Sequence, residues 1–413
     1  MTDHVPASEL LSADVAVSLQ RLRARAVQTQ STAFVAERGG AEAAEAGEVD
    51  RPVEIMSITK SVVSLVIGQL VDRRLLTLDT SVAEYIPAWR GTPKEKISIA
   101  HLIEHTSGLA DKPTTEDIYA AGDFVAFATA AELERAPGTQ YSYSNRASNL
   151  LPEIVKQASG RPLDDWAGEH LFAPLEISDF TWSKDRAGNV QGMSGLCLSA
   201  RSLARIGRLV LDRGTYRDRE VVSRAWVDAS TRTYRDAGLF WSRAPRGLGW
   251  FLDPENVEFG LSTRVFESWA DARVPSSFTD RLRPLEGRFY PSQNEFRAAV
   301  QRAIHGKELP VSDRNLAPFY EMTWKANRPD TDVRYGPPRS ISANGWGGQY
   351  LIAIPAKDLI VVRLRAVEED EPGNFFDDVN AIVLGVLRPQ PPLVFRALKG
   401  LFRLLGPTKG QRS

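Results

Sequence analysis

The sequence predicts an α/β (α+β) chain with antiparallel strands towards its ends and a helical middle, and three observations predict it. Apolar residues recur at helical spacing over the first thirty positions, Pro and Gly cut the middle into short helical pieces, and three β-type runs follow one another between Arg339 and Leu364.

In chain order, LLSADVAVSLQRLRARAVQ predicts a helix from Ala7 to about Gln30, and TAFVAERGG a short strand with a turn. A second helix starts near Ser57. Its apolar run SVVSLVIGQLV, residues 61–71, is too short to cross a membrane and ends in Asp72, Arg73 and Arg74, so it reads as a buried helix. Between residues 77 and 191 helical pieces prevail and strand-like alternation is scarce. SARSLARIGRLVLDRG, residues 199–214, has a capping Ser, apolar residues three and four apart and a terminal Gly, the marks of a helix. The stretch 253–324 mixes aromatics with both charge signs and reads as an insertion, either a cover for a cleft or an inert surface elaboration. Residues 339–343, 350–354 and 359–364 read as adjacent antiparallel strands, the last two joined by a turn, with a helix over NFFDDVNAIVLGVLR behind them.

The chain has 413 residues, 43% hydrophobic and 25% charged, more than one compact core normally holds. Its 51 Lys and Arg against 52 Asp and Glu leave a formal charge of −1, which provides no field to draw in nucleic acid. The first residues lack the basic and apolar regions of a signal peptide, and a cytoplasmic location is expected. The single cysteine, Cys197, forms no internal disulfide and is expected to be a small buried residue.

A serine hydroxyl needs a nearby base, and donors for the oxyanion it creates, before it attacks a carbonyl. SITK, residues 57–60, supplies both possibilities: Ser57 and Lys60 share one helix face, and Ser57 lies at the positive end of the helix. Val62, Val63, Val66 and Ile67 make the rest of the helix apolar, which desolvates Lys60 and favours its neutral form. Alone the spacing says little, since roughly one such match arises by chance in a chain of this composition. It is joined by HTSGL at residues 105–109, YSN at 143–145 and the glycine-rich ANGWGGQY at 343–350.

Together these motifs resemble the β-lactamase and penicillin-binding-protein-like serine hydrolases, in particular the class C β-lactamase and esterase branch. SITK matches that family's SxxK, YSN its YxN, and Ala343, Asn344 and Gly345 its Lys or His, any residue, Gly triplet on an edge strand. LVDRRLLTLDTSVAEYIPAW, ISIAHLIEHTSGL, APGTQYSYSN and SGLCLSARSLARIG extend the resemblance over about 53–248 and 340–364. It implies an antiparallel sheet flanked by helices, built from residues 1–76 and 236–413 with the insertion at about 253–324, and an inserted helical domain over 77–235. Ser57 would be acylated, Lys60 would share its proton and Tyr143 would relay a proton to the leaving group. Asn145 would orient Lys60 or the substrate amide, with Ala343, Gly345 and Trp346 also at the substrate. The backbone N–H groups of Ser57 and Trp346 would form the oxyanion hole. No cofactor or metal is implied. HTSGL is expected to shape a loop rather than perform chemistry.

Ala343 departs from the family's Lys or His and removes a cation that would balance a carboxylate. A small neutral ester or amide is therefore the expected substrate, ahead of a β-lactam or D-alanyl peptide, with transfer of the acyl group to an alcohol or amine as the alternative to hydrolysis. Two rival readings stay in view. HLIEH, residues 101–105, matches a zinc-peptidase pattern in which His101 and His105 share a metal and Glu104 is the base. A non-catalytic binding protein of the same fold is favoured by Ala343 and opposed by the intact Ser57, Lys60 and Tyr143. Finally, the C-terminal PLVFRALKGLFRLLGPTKGQRS has an apolar side and five basic residues without an acid, a pattern for packing on the protein's own core, on a partner, or on a membrane surface.

Overall fold

The computed structural model describes residues 7–110, 114–232, 246–325, 330–366 and 375–385. Helix α1 (Ala7–Gln28) leads into the hairpin of β1 (Ala33–Arg38) and β2 (Ala41–Gly47), and helix α2 (Ile58–Asp72) follows. Much later come α3 (Ala200–Leu211), β3 (Phe251–Pro254), β4 (Pro338–Gly345), β5 (Gln349–Ile354), β6 (Leu359–Leu364) and α4 (Phe375–Val383). The six strands form one antiparallel sheet in the order β2-β1-β6-β5-β4-β3. Val35 of β1 lies opposite Val362 of β6, so the two ends of the chain close the sheet between them.

Because side chains alternate across a strand, β5 and β6 serve two layers at once. Tyr350, Ile352, Ile354 and Val361 face Leu19, Leu22, Phe375 and Val379 of α1 and α4, while Leu351, Ala353, Ile360 and Val362 join α2 and α3 in the larger core on the other face. Every residue of α2 from Ile58 to Leu70 is buried, which explains its continuous apolar run: the helix is enclosed on all sides rather than lying on a surface.

Between α2 and α3 the chain makes the expected short helices, among them Ile99–Ile103, Thr115–Ala120, Asn145–Ser148 and Leu151–Ser159. Two features differ from expectation. Leu196–Leu198 is a strand, paired with Val53–Glu54 and Thr181–Trp182 in a small sheet that ties the helical section to the segment entering α2. Helix α3, placed by the sequence in the helical domain, packs on β1, β5 and β6 of the main sheet. Helical periodicity reveals an apolar face and does not say what it packs on.

The stretch expected as an insertion from Asp253 begins slightly later, since Asp253 and Pro254 pair with Ser340 and Pro338 in the main sheet. It then builds a small unit of its own. Strands Val257–Gly260, Phe289–Tyr290 and Asp332–Tyr335 form a sheet, and helices Thr263–Asp271, Ser276–Leu282, Gln293–His305 and Asp313–Lys325 accompany it. Trp269, Phe296, Val300 and Phe319 belong to a core separate from the main one. Among the described residues no helix is long and apolar enough to cross a membrane. The C-terminal stretch read for membrane or partner contact lies outside the described residues.

Candidate active site

Met56 adopts φ +52°, a left-handed conformation uncommon outside glycine, and this turn carries the chain from Val53–Glu54 into α2 with Ser57 at the N-cap. Lys60, one turn further on, returns to the same face. Its Nζ donates to Ser57 Oγ at 3.1 Å and to the Met193 carbonyl at 2.8 Å, and the side chain is buried. The Tyr143 hydroxyl donates to the same Ser57 Oγ at 2.8 Å, and Lys60 Nζ stands 4.9 Å from the centre of the Tyr143 ring.

Neighbouring groups fix these partners. Asn149 Oδ1 accepts the N–H groups of Gly192 and Met193 at 2.9 and 3.0 Å, which orients the loop whose carbonyl meets Lys60. His105 holds Tyr143 from both sides in sequence: its carbonyl accepts the Ser142 N–H at 2.8 Å and its Nδ1 accepts the Ser144 N–H at 3.2 Å. The two rings lie 4.6 Å apart. Burial, reinforced by the charges of Lys60 and Arg246, pushes the His105 pKa down to about 3, so the ring stays neutral and Nδ1 remains an acceptor. HTSGL therefore shapes a loop, as its sequence predicts.

The zinc-peptidase reading fails on geometry. Helix Ile99–Ile103 ends before His105, which sits at φ +56°, and His101 Nδ1 instead accepts the Ser98 N–H at the helix start. The two histidines do not share a helix face. Among the described residues no group of three or more His, Cys, Asp or Glu is placed to hold a metal. Cys197 is only half-buried, less than expected, and that burial raises its thiol pKa.

The end of β4 forms the opposite wall. Strand β3 pairs with β4 only as far as Ser342, so β4 is an open edge just where Ala343, Asn344 and Gly345 follow. A Cβ on Gly345 would stand 2.5 Å from the Ile55 carbonyl and 3.0 Å from Met56 Cβ, so only glycine lets this strand approach the segment carrying Ser57. Ala343, expected beside substrate, is instead 1% exposed within the main core. The pleat turns its neighbour Asn344 to the cavity, where Oδ1 is buried and accepts no hydrogen bond from the described residues.

Beyond Gly345 the hairpin of Trp346, Gly347 and Gly348 joins β4 to β5. Two fully buried arginines grip it: Arg365 Nη1 donates to the Gly347 carbonyl at 2.8 Å and Arg363 Nη1 to the Gly348 carbonyl at 3.0 Å. Among the described residues the backbone N–H groups of Ser57 and Trp346 donate to no backbone carbonyl, which leaves both available to a ligand.

These walls enclose a cavity of about 700 Å³. Ser57, Lys60, Tyr143, Asn145, Gly345 and Trp346 all line it, as do Glu54, Tyr119, Ser194, Arg246, Trp250 and Phe251. Asn145 Nδ2 donates to Thr115 Oγ1 at 3.3 Å on the cavity wall. Among the described residues none between 252 and 343 lines the cavity, which differs from the expectation that the insertion covers a cleft. Sequence reasoning missed Met193, Asn344 and Arg246. Nothing local signals Met193 or Arg246, which loops bring from distant parts of the chain, whereas alternation along the strand could have singled out Asn344 within its motif.

A hydroxyl between an amine and a phenol, facing backbone amides across an open cleft, has the donors and acceptors of a carbonyl-attacking site. The family comparison agrees with the fold. The family model described as Beta-lactamase matches residues 24–382, and the chain belongs to that family. It is a beta-lactamase-related hydrolase. The 6-aminohexanoate-dimer hydrolase of Paenarthrobacter ureafaciens is 28% identical over 307 residues, spanning 66% of this chain and 77% of that protein. The D-alanyl-D-alanine-carboxypeptidase/endopeptidase AmpH of Escherichia coli (strain K12) is 29% identical over 155 residues, 33% of this chain and 38% of its own length. Among solved structures, the putative 6-aminohexanoate-dimer hydrolase from Bacillus anthracis superposes with a TM-score of 0.58 at 13% identity, covering 98% of this chain and 84% of that one, a likeness of fold.

Proposed function

We propose that the protein is a serine hydrolase that cleaves esters or amides through an acyl-enzyme on Ser57. The observation that carries this reading is Ser57 Oγ itself, which accepts hydrogen bonds from Lys60 Nζ at 3.1 Å and Tyr143 Oη at 2.8 Å. In the reacting state Lys60 in its neutral form withdraws the hydroxyl proton as Oγ bonds to the carbonyl carbon. The negative charge gathering on the carbonyl oxygen is met by the N–H groups of Ser57 and Trp346. The tetrahedral adduct collapses when Tyr143 gives a proton to the departing alcohol or amine, and Lys60 restores the Tyr143 proton. Water then enters, the same groups take its proton, and the acid is released. The acyl-enzyme would equally pass its acyl group to an alcohol or amine in place of water.

Asn145 and Asn344 supply side-chain amides along the route to Ser57, suited to a substrate carbonyl or N–H. Ala343 leaves the cavity end of β4, residues 343–345, without a cation of its own, the position at which the family's Lys or His stands.

The test is a fluorophosphonate probe followed by mass spectrometry, with p-nitrophenyl ester turnover in parallel. The adduct is expected on Ser57, and Ser57→Ala should lose both the adduct and about 10³-fold or more of the turnover. Turnover undiminished in Ser57→Ala would sink the mechanism.

A further inference from the structure

We propose that Arg246 makes this cavity a receptor for an anionic substrate, an ester or amide that also bears a carboxylate which the guanidinium grips. The inference rests on the reading of the cavity as an acyl-transfer site and revises the expectation of a neutral substrate.

Arg246 lines the same cavity as Ser57 and Lys60. Its guanidinium carbon lies 4.2 Å from the centre of the Tyr141 ring and 4.5 Å from that of Phe251, so two aromatic faces hold it. Among the described residues it makes no ion pair, and its Nε is buried without a hydrogen-bond partner. Burial lowers its pKa from the usual arginine value, yet an arginine stays charged throughout the working pH range.

Buried arginines elsewhere in this protein have acceptors: Arg208 pairs with Glu37 at 2.7 Å and Asp358 at 2.6 Å, and Arg363 and Arg365 donate to backbone carbonyls. Of the three acids that line the cavity among the described residues, Glu54, Glu104 and Glu116, none forms an ion pair with Arg246. Glu54 Oε1 accepts the Gly195 N–H at 3.0 Å, and the Glu116 carboxyl is held below its usual range by its own backbone N–H and the Thr114 hydroxyl. A desolvated cation without a counter-charge is costly unless a ligand brings one. Here the open side of that cation is a ligand cavity.

Residues 247–249, which follow Arg246, are fixed in place. Ser61 and Ser64, on the same face of α2 as Ser57, donate to the carbonyls of Gly249 at 2.6 Å and Leu248 at 2.7 Å. A Cβ on Gly247 would stand 1.7 Å from the Ser230 carbonyl, so the loop fits only with glycine there. Arg246 bridges to Phe251, which pairs with Ser342 of β4. The cation thus reaches the end of the sheet where Ala343 brings none. A planar, rigidly held guanidinium at that place suits the two oxygens of a carboxylate.

Calorimetric binding to the Ser57→Ala chain tests the inference without turnover. Two probe pairs are compared: N-butyryl-4-aminobenzoate with N-butyryl-4-aminobenzamide, carrying the charge on the leaving side, and glutaryl anilide with its terminal carboxamide, carrying it on the acyl side. In at least one pair the carboxylate should bind about tenfold or more tightly than its uncharged partner. Added salt should weaken that preference, Arg246→Gln in the same background should bring it close to one, and Arg246→Lys should retain part of it. Equal affinities within both pairs, read on the chain that keeps Arg246, overturn the proposal even if Arg246→Gln does not fold. A preference that survives Arg246→Gln overturns it as well. Since the titrated chain lacks Ser57, failure of the serine mechanism shows separately, as a missing fluorophosphonate adduct on the unmodified protein.

Discussion

The two walls of the candidate active site are built in opposite ways. On the α2 wall Ser57 and Lys60 lie within one helical turn, and the backbone of a fully enclosed helix sets their separation. On the β4–β5 wall Trp346 belongs to a hairpin with glycines at φ +77° and +88°, whose carbonyls are held by Arg363 at the end of β6 and Arg365 just after it. The geometry of Ser57, the proposed nucleophile, is therefore local, whereas that of the Trp346 amide proposed to face it depends on tertiary packing. Damage to the first wall should remove chemistry outright, and damage to the second should loosen it.

The largest effect should come from within α2. Lys60→Ala removes the only amine that donates to Ser57 Oγ among the described residues, and kcat should fall about 10²- to 10⁴-fold in a folded protein. The measurement is ester turnover with circular dichroism as the check on folding. A loss below tenfold would assign the proton transfer to another group, Tyr143 first.

A smaller effect should come from Arg365→Met. It deletes the charge-assisted hydrogen bond to the Gly347 carbonyl while keeping an unbranched side chain in the core, and such bonds are worth about 1.5–3 kcal/mol. A fall in kcat of about 10- to 100-fold is expected, with faster amide exchange at residues 346–348 and KM changed less than kcat. If turnover falls without faster exchange in the hairpin, the damage lies elsewhere and the contrast between the walls is wrong.

The same contrast governs what the sequence discloses. The three-residue spacing of Ser57 and Lys60, the buried run behind them and the three C-terminal strands are short-range patterns, and the structure has all of them. Tyr143 and Trp346 are distant in sequence, and only resemblance to a family brings them to Ser57. Ala343 was mistaken for a cavity residue because a motif names three positions in a row, while a pleated strand turns alternate ones away. Arg246 escaped notice for a different reason. An arginine's meaning depends on its partners, and here its neighbours are Tyr141 and Phe251, together with a loop held by Ser61 and Ser64. None of these pairings leaves a trace in composition or periodicity.

His105 supports Tyr143 by long-range contacts as well, and it permits the finest test of this view. Its folded pKa of about 3 lies below the ordinary histidine value of 6.5. Between those values the unfolded chain binds a proton that the folded one refuses, so stability from this group is full above pH 6.5 and is lost as pH falls towards 3. The slope is at most about 1.4 kcal/mol per pH unit. Urea midpoints measured from pH 7 to pH 4 should therefore fall more steeply for the native chain than for His105→Asn, whose Oδ1, attached to Cγ as Nδ1 is, can accept the Ser144 N–H without titrating. The variant should lose little ester turnover at pH 7 if that acceptor is all Tyr143 requires. Equal slopes for the two proteins would mean that His105 takes up its proton in the folded state, and the neutral ring assigned to the Tyr143 support would have to be given up.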